Sequence, residues 1–146
     1  MNAPLPHLMI VPIVLPLLTA ALMLPLGEKR VRWKGLLNLA STLAGLLVAI
    51  ELMFQVDAQG GAQAMGVYLP SNWDVPFGIV LAWDRVSALM LVLTGLVATG
   101  AVLFSLGRWD RAGVHFHALF QIQLMGINGA FLTGDLFNLF VFFEVM

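Results

Sequence analysis

The sequence predicts an all-α, polytopic transmembrane helix bundle: four complete helices and the start of a fifth, with the N-terminus outside. Three observations carry this reading. Of 146 residues, 60% are hydrophobic and only 10% charged, with a mean hydropathy of +0.94. A water-facing domain carries roughly 25% charged residues, so this chain has too little charge to clothe itself in water, and lipid is the alternative solvent. Apolar stretches recur at the roughly 20 residues that a helix needs to cross a bilayer. The loops between them alternate in charge.

The first apolar segment covers about residues 8–26. Pro12 and Pro16 interrupt it and Pro25 sits near its end; prolines are tolerated in membrane helices but kink them. No basic stretch precedes it and no A-x-A site follows, so it reads as a retained helix and not as a cleaved signal. The second segment, residues 35–56, is "GLLNLASTLAGLLVAIELMFQV". The third, residues 84–106, opens on Asp84, a structural cap that accepts from the first free N–H groups of the helix. Small residues in these two segments allow close helix approach. The fourth is "VHFHALFQIQLMGINGAFL", residues 114–132, and the fifth covers residues 136–146. All five belong to a single membrane domain, residues 1–146. In the external loop, residues 57–83, "GVYLPSNWDVPFGIVLAW" alternates as a short hairpin would. Its Tyr68, Trp73 and Trp83 suit an interfacial aromatic belt.

Loop charge sets the orientation. The first loop carries Lys29, Arg30, Arg32 and Lys34 against Glu28, and the third carries Arg108 and Arg111 against Asp110. The second has Asp57 and Asp74 and no base, and the fourth only Asp135. Basic loops lie on the cytoplasmic side, which puts loops one and three inside.

Polar residues within the apolar spans are the candidate site. Glu144 lies nine residues beyond Asp135, which at about 1.5 Å per residue is roughly 13 Å into the membrane, near the midplane of a core about 30 Å thick. A carboxylate there is costly unless protonated, paired or hydrated. A group that alternates between those states is what a proton or cation relay requires. His117, Gln121 and Asn128 share one face of the fourth helix. That stripe either lines a hydrated path, with His117 able to change charge, or glues the bundle by interhelical hydrogen bonds. Glu51 reads as an interfacial acid, Asp135 as a loop residue or helix cap, and His115 as interfacial. Gln123 lies off the stripe.

Other chemistries are excluded. There is no Cys, hence no disulfide or thiolate metal site. No phosphate-binding glycine loop, HExxH or GxSxG occurs. His115 and His117 are two residues apart, which a helix points in different directions. No metal, organic cofactor or nucleic-acid partner is expected, and the chain is not read as an enzyme.

"FGIVLAWDRVSALMLVLTGLV" and "HFHALFQIQLMGINGAFLTGDLFNLFVFFEVM" resemble the D subunit of the Mrp-type multisubunit monovalent cation/proton antiporters. Antiporter-like, proton-pumping subunits of NADH–quinone oxidoreductase share the same core. The resemblance implies an N-terminal portion of a much longer subunit in the bacterial cytoplasmic membrane, partnered by other subunits of a hetero-oligomeric complex. It implies exchange of Na⁺ or K⁺ for H⁺ with no cofactor. It places Glu144 on the essential acid of helix five, whose lysine partner lies on a later helix beyond Met146. Two alternatives remain open at this point: a proton-translocating subunit of a respiratory complex, and a structural membrane subunit with no relay.

Overall fold

A computed structural model of the chain describes residues 6–26, 30–60, 65–70, 78–108, 113 and 115–146. Glu28, Lys29, Trp73, Asp74, Asp110 and Arg111, used above to read the loops, lie outside the described residues. A 3-10 turn, Pro6–Ile10, leads into α1, Val11–Met23. Then follow α2, Val31–Ala58; β1, Gly66–Tyr68; β2, Leu81–Trp83; α3, Arg85–Arg108; α4, Phe116–Leu132; and α5, Leu136–Val145. Among the described residues, Val31–Ala58 and Arg85–Gly107 are long and apolar enough to cross a membrane.

The first element differs from an unbroken helix over residues 8–26. Pro12 has no N–H to donate and sits in the first turn of α1, where a donor would lack an intrahelical partner anyway. The α-helix therefore starts around this proline. At α2 the helix begins four residues before Gly35 and absorbs Arg32 and Lys34. Basic residues are good helix formers, so the charge that marks a loop in the sequence does not end the backbone ladder.

The helices pack as an up-and-down bundle. α2 lies along α3, α1 along α4, and α5 along α4. A side chain on Gly95 would strike Leu46, so this glycine sets how closely α3 approaches α2. An exposed ion pair, Arg85 Nε to Asp57 Oδ1 at 3.2 Å, ties the start of α3 to the end of α2. β1 and β2 pair antiparallel in the register Gly66–Trp83, Val67–Ala82, Tyr68–Leu81, so the helical bundle carries one small sheet. The α4–α5 connection joins this sheet: Gly134 N donates to Val80 O at 2.8 Å, and Leu81 bridges Thr133.

The interior is divided. At the sheet end, Met9, Leu52, Val56, Leu81, Trp83 and Leu132 belong to one apolar core. Trp83 is 5% exposed. It is a core residue and not part of an interfacial belt, because β2 turns it inward over α2 and α3. Tyr68 pairs its hydroxyl with His7 Nδ1 at 2.9 Å. At the opposite end the interior is polar.

Candidate functional site

The polar half is built on one face of α2. Lys34, Asn38, Ser41 and Thr42 are buried there, at offsets of 4, 7 and 8 residues that return to the same side of a helix. His117 and Gln121, one turn apart on α4, meet that face. Thr19 of α1 closes it.

Asn38 is the hub. Its Nδ2 donates to His117 Nδ1 at 2.9 Å. Its Oδ1 accepts from Gln121 Nε2 at 2.7 Å, and its backbone O accepts from Thr42 Oγ1 at 2.8 Å. Gln121 Nε2 also lies 3.1 Å from Thr42 Oγ1 and 3.2 Å from Asn38 O. Gln121 Oε1 faces Ser41 Oγ at 3.4 Å. Ser41 meets Thr19 Oγ1 at 2.8 Å, and Thr19 also reaches Leu15 O at 2.8 Å. Two hydroxyl hydrogens serve the last three contacts, so two of them are made at a time. His117 packs against Gly35: a Cβ there would lie 3.5 Å from Nε2 and would collide with Leu106 of α3.

Asn128 belongs to the same α4 face but has a different partner. Pro16 lacks an N–H, so the Pro12 carbonyl has no helical donor. Asn128 Nδ2 supplies one at 2.9 Å. A cavity of about 10 Å³ lies between this contact and the network, lined by Pro12, Pro16, Ser41, Thr42 and Asn128 among others. That is close to the space one water occupies. The sequence-derived stripe thus divides into His117 and Gln121 on the Asn38 hub, and Asn128 on the break in α1.

α5 is held by its cap and by one face. Asp135 Oδ1 accepts from Asn138 N at 2.7 Å, its Oδ2 from Asn138 Nδ2 at 2.6 Å, and Oδ2 also from Val80 N at 3.4 Å. Burial alone would push the Asp135 carboxyl up. The hydrogen bonds from Asn138, Val80 and Phe137 outweigh it and hold the group below its ordinary value. Asp84 has the same geometry at α3, accepting from Ser87 N at 2.7 Å. The Phe142 ring fills the space where Gly129 would carry a side chain, and Met146 lies over Gly126. The rest of α5 is uncovered: none of its residues is buried. Glu144 is therefore exposed on this chain alone, not enclosed as an acid deep among apolar helices would be. Glu51 accepts from Gln55 Nε2 at 3.0 Å on the surface. Gln123 is exposed and lines an apolar groove of about 300 Å³ between α3 and α4. Among the described residues, no cluster of three metal-ligating side chains occurs.

Sequence reasoning missed Lys34, Asn38, Ser41, Thr42 and Thr19. Lys34 is 2% exposed, a buried residue of α2 and not a member of the first basic loop. The available signal was its spacing to Asn38 and Thr42, which marks an inward α2 face.

No protein-family model matches the chain. Over 143 residues, 97% of its length, it is 52% identical to the probable K⁺/H⁺ antiporter D subunit of Rhizobium meliloti (strain 1021). The chain is homologous to antiporter D subunits. It is also 36% identical over 142 residues, 96% of its length, to the Na⁺/H⁺ antiporter D subunit of Alkalihalophilus pseudofirmus. The chain spans about a quarter of the length of these curated relatives, 26% and 28% respectively. In structure it matches a chain of the Mrp complex from Dietzia sp. DQ12-45-1b with a TM-score of 0.88 and 30% identity, over 97% of this chain and 26% of that one. A chain of the membrane-bound sulfane sulfur reductase, an archaeal respiratory membrane complex, matches with a TM-score of 0.77 and 26% identity, over 96% of this chain and 28% of the other. The antiporter homologue is accordingly a membrane protein.

Proposed function

We propose that this chain is the N-terminal portion of a monovalent cation/proton antiporter subunit. In this reading it sits as a multi-pass element of a bacterial cytoplasmic membrane and exchanges Na⁺ or K⁺ for H⁺ with the other subunits of a hetero-oligomeric complex. The observation that carries the proposal is the 52% identity to a K⁺/H⁺ antiporter D subunit across 97% of the chain. The R. meliloti relative is named for K⁺ and the A. pseudofirmus relative for Na⁺, so the cation is Na⁺ or K⁺.

Orientation follows from charge. The described basic residues Arg30 and Arg32 lie at the start of α2, the end of the bundle where α4 also begins. Positive loops face the cytoplasm, so the polar network is a cytoplasmic-side feature and the sheet is external. Glu144 is the relay: a carboxylate about 13 Å along α5 from its cap binds and releases H⁺ when its neighbours change. His117, Gln121 and Asn128 line the cytoplasmic approach, and of the three Asn128 borders the small cavity.

The test is Glu144→Gln in the complete antiporter assembly. Cation-dependent proton exchange in membrane vesicles is expected to be lost while the complex still assembles. Retained exchange would overturn the relay role and favour a purely structural role.

A further inference from the structure

We infer that Asn38 is a positioning residue that fixes the ring tautomer of His117, with the proton on Nε2 and Nδ1 held as an acceptor. One atom in the network has chemistry that is not open to choice: the backbone oxygen of Asn38 accepts only. It lies 2.8 Å from Thr42 Oγ1, so the single hydroxyl hydrogen of Thr42 points at it, and the lone pairs of the hydroxyl face away. The terminal atom of Gln121 nearest this pair stands 3.2 Å from the Asn38 carbonyl and 3.1 Å from the Thr42 hydroxyl. Two acceptors converge on it, so it is the NH₂ end of the amide and not the oxygen.

The Asn38 amide is then fixed by exclusion. Gln121 Nε2 lies 2.7 Å from the Asn38 side chain. Two NH₂ groups cannot share that distance, so Asn38 presents Oδ1 to Gln121 and Nδ2 to its other neighbour. That neighbour is His117 Nδ1 at 2.9 Å. An amide NH₂ only donates, so Nδ1 accepts and carries no hydrogen. The ring proton is on Nε2, the atom that a Cβ on Gly35 would meet at 3.5 Å. A backbone carbonyl on α2 thus sets the tautomer of a histidine on α4 through two carboxamides, each 0–2% exposed along with the ring.

One consequence deepens the path reading proposed above and rests on it: any proton that passes through His117 arrives and leaves at Nε2. The tautomer itself stands on geometry whether or not the chain moves ions.

The experiment is solid-state NMR of the full chain in its membrane assembly, with ¹⁵N-labelled histidine near neutral pH. His117→Gln identifies the signal by its loss. The expected wild-type spectrum has Nδ1 bare and Nε2 protonated at His117. Asn38→Asp replaces the donor with an acceptor and is expected to reverse the pattern, moving the proton to Nδ1. A proton on Nδ1 in the wild-type protein overturns the inference, whatever the variant does. So does an Asn38→Asp variant that assembles with the wild-type pattern intact. Transport is not read in either measurement, so failure here is separate from failure of the antiporter reading.

Discussion

Asn128 Nδ2 donates to the Pro12 carbonyl oxygen across 2.9 Å, so a side chain of α4 fills the hydrogen bond that Pro16 removes from α1. Within the bilayer core there is no bulk water to replace a missing backbone partner. The amide therefore does two jobs: it satisfies a broken helix, and it fastens α1 to α4. Asn128→Leu leaves the carbonyl unsatisfied and is expected to destabilise the folded protein by about 1–3 kcal/mol. Pro16→Ala restores an N–H that can reach Pro12 within α1. In that background the loss of Asn128 is expected to cost far less. A double-mutant cycle on the detergent-solubilised protein, read by thermal unfolding, measures the coupling. Additive effects would show that the two sites are independent.

Gly129 and Phe142 give a second prediction. The Phe142 ring occupies the place of a Gly129 side chain, and Phe142 O and Met146 crowd Gly126 in the same way. α5 has no buried residue to compensate for a shift. Gly129→Leu should therefore lift α5 from α4, at a cost of about 1–3 kcal/mol for overpacking. Gly100→Ala is the control, since a Cβ there meets nothing within 4 Å. Spin-label distances between α4 and α5 should lengthen for the first variant and hold for the second.

Much of this arrangement was legible in the sequence, for physical reasons. Helices in an apolar chain satisfy their own backbone, so long apolar runs located α2 and α3 well. Asp84 and Asp135 were readable because capping is local, needing only an acid ahead of a helix. Burial was less legible. Lys34 looked like a loop cation because its charge dominates any scan of composition, while the fact that decides its position is its register with Asn38 and Thr42. Trp83 looked interfacial because tryptophans in loops of membrane proteins often are; its place in the core depends on pairing with Gly66 across the sheet. The polar hub needed α1, α2 and α4 together, and no single segment reveals that Asn38 faces both His117 and Gln121. Glu144 presents the opposite case. Its chemistry stands out in the sequence, whereas the structure leaves it exposed on a helix with no buried residue.

Asp135 carries a pH dependence whose sign is fixed. Its carboxyl is held below the ordinary value, with burial opposed and outweighed by bonds from Asn138, Val80 and Phe137. A lowered folded value means the ionised cap stabilises α5 above the unfolded value of about 3.9, and that this contribution fades as pH falls through the lower, folded value. At neutral pH Asp135→Ala should cost about 0.5–2 kcal/mol, as loss of an N-cap does. Amide exchange at Asn138, whose N–H lies 2.7 Å from Asp135 Oδ1, reports the cap directly. Protection there should persist near neutrality and decline on acidification below about pH 4. Asp135→Asn keeps a capping oxygen but does not titrate, so its protection should be insensitive to pH over that window.

The Asn38–Gln121 pair distinguishes a network from a set of separate bonds. Gln121→Leu alone removes the donor to Asn38 Oδ1 and leaves that oxygen buried, with Asn38 itself 0% exposed. Asn38→Leu alone takes the shortest partner from the amide of Gln121, also 0% exposed, leaving it the longer contacts to Thr42 Oγ1 and the residue-38 carbonyl, and removes the donor to His117 Nδ1. Each single change should cost about 1–3 kcal/mol, the penalty of a buried polar group without its partner. Replacing both with leucine removes the two amides that each single change deprives of the other; the donor lost to His117 Nδ1 is common to Asn38→Leu and the double variant, so it cancels in the comparison. The double variant should therefore be more stable than the sum of the singles predicts, by a margin comparable to one of them. Thermal unfolding of the four proteins in one detergent measures this margin. A double variant that loses the full sum would mean that each amide is bound mainly to Thr42, Ser41 and His117, and that the 2.7 Å contact between them contributes little.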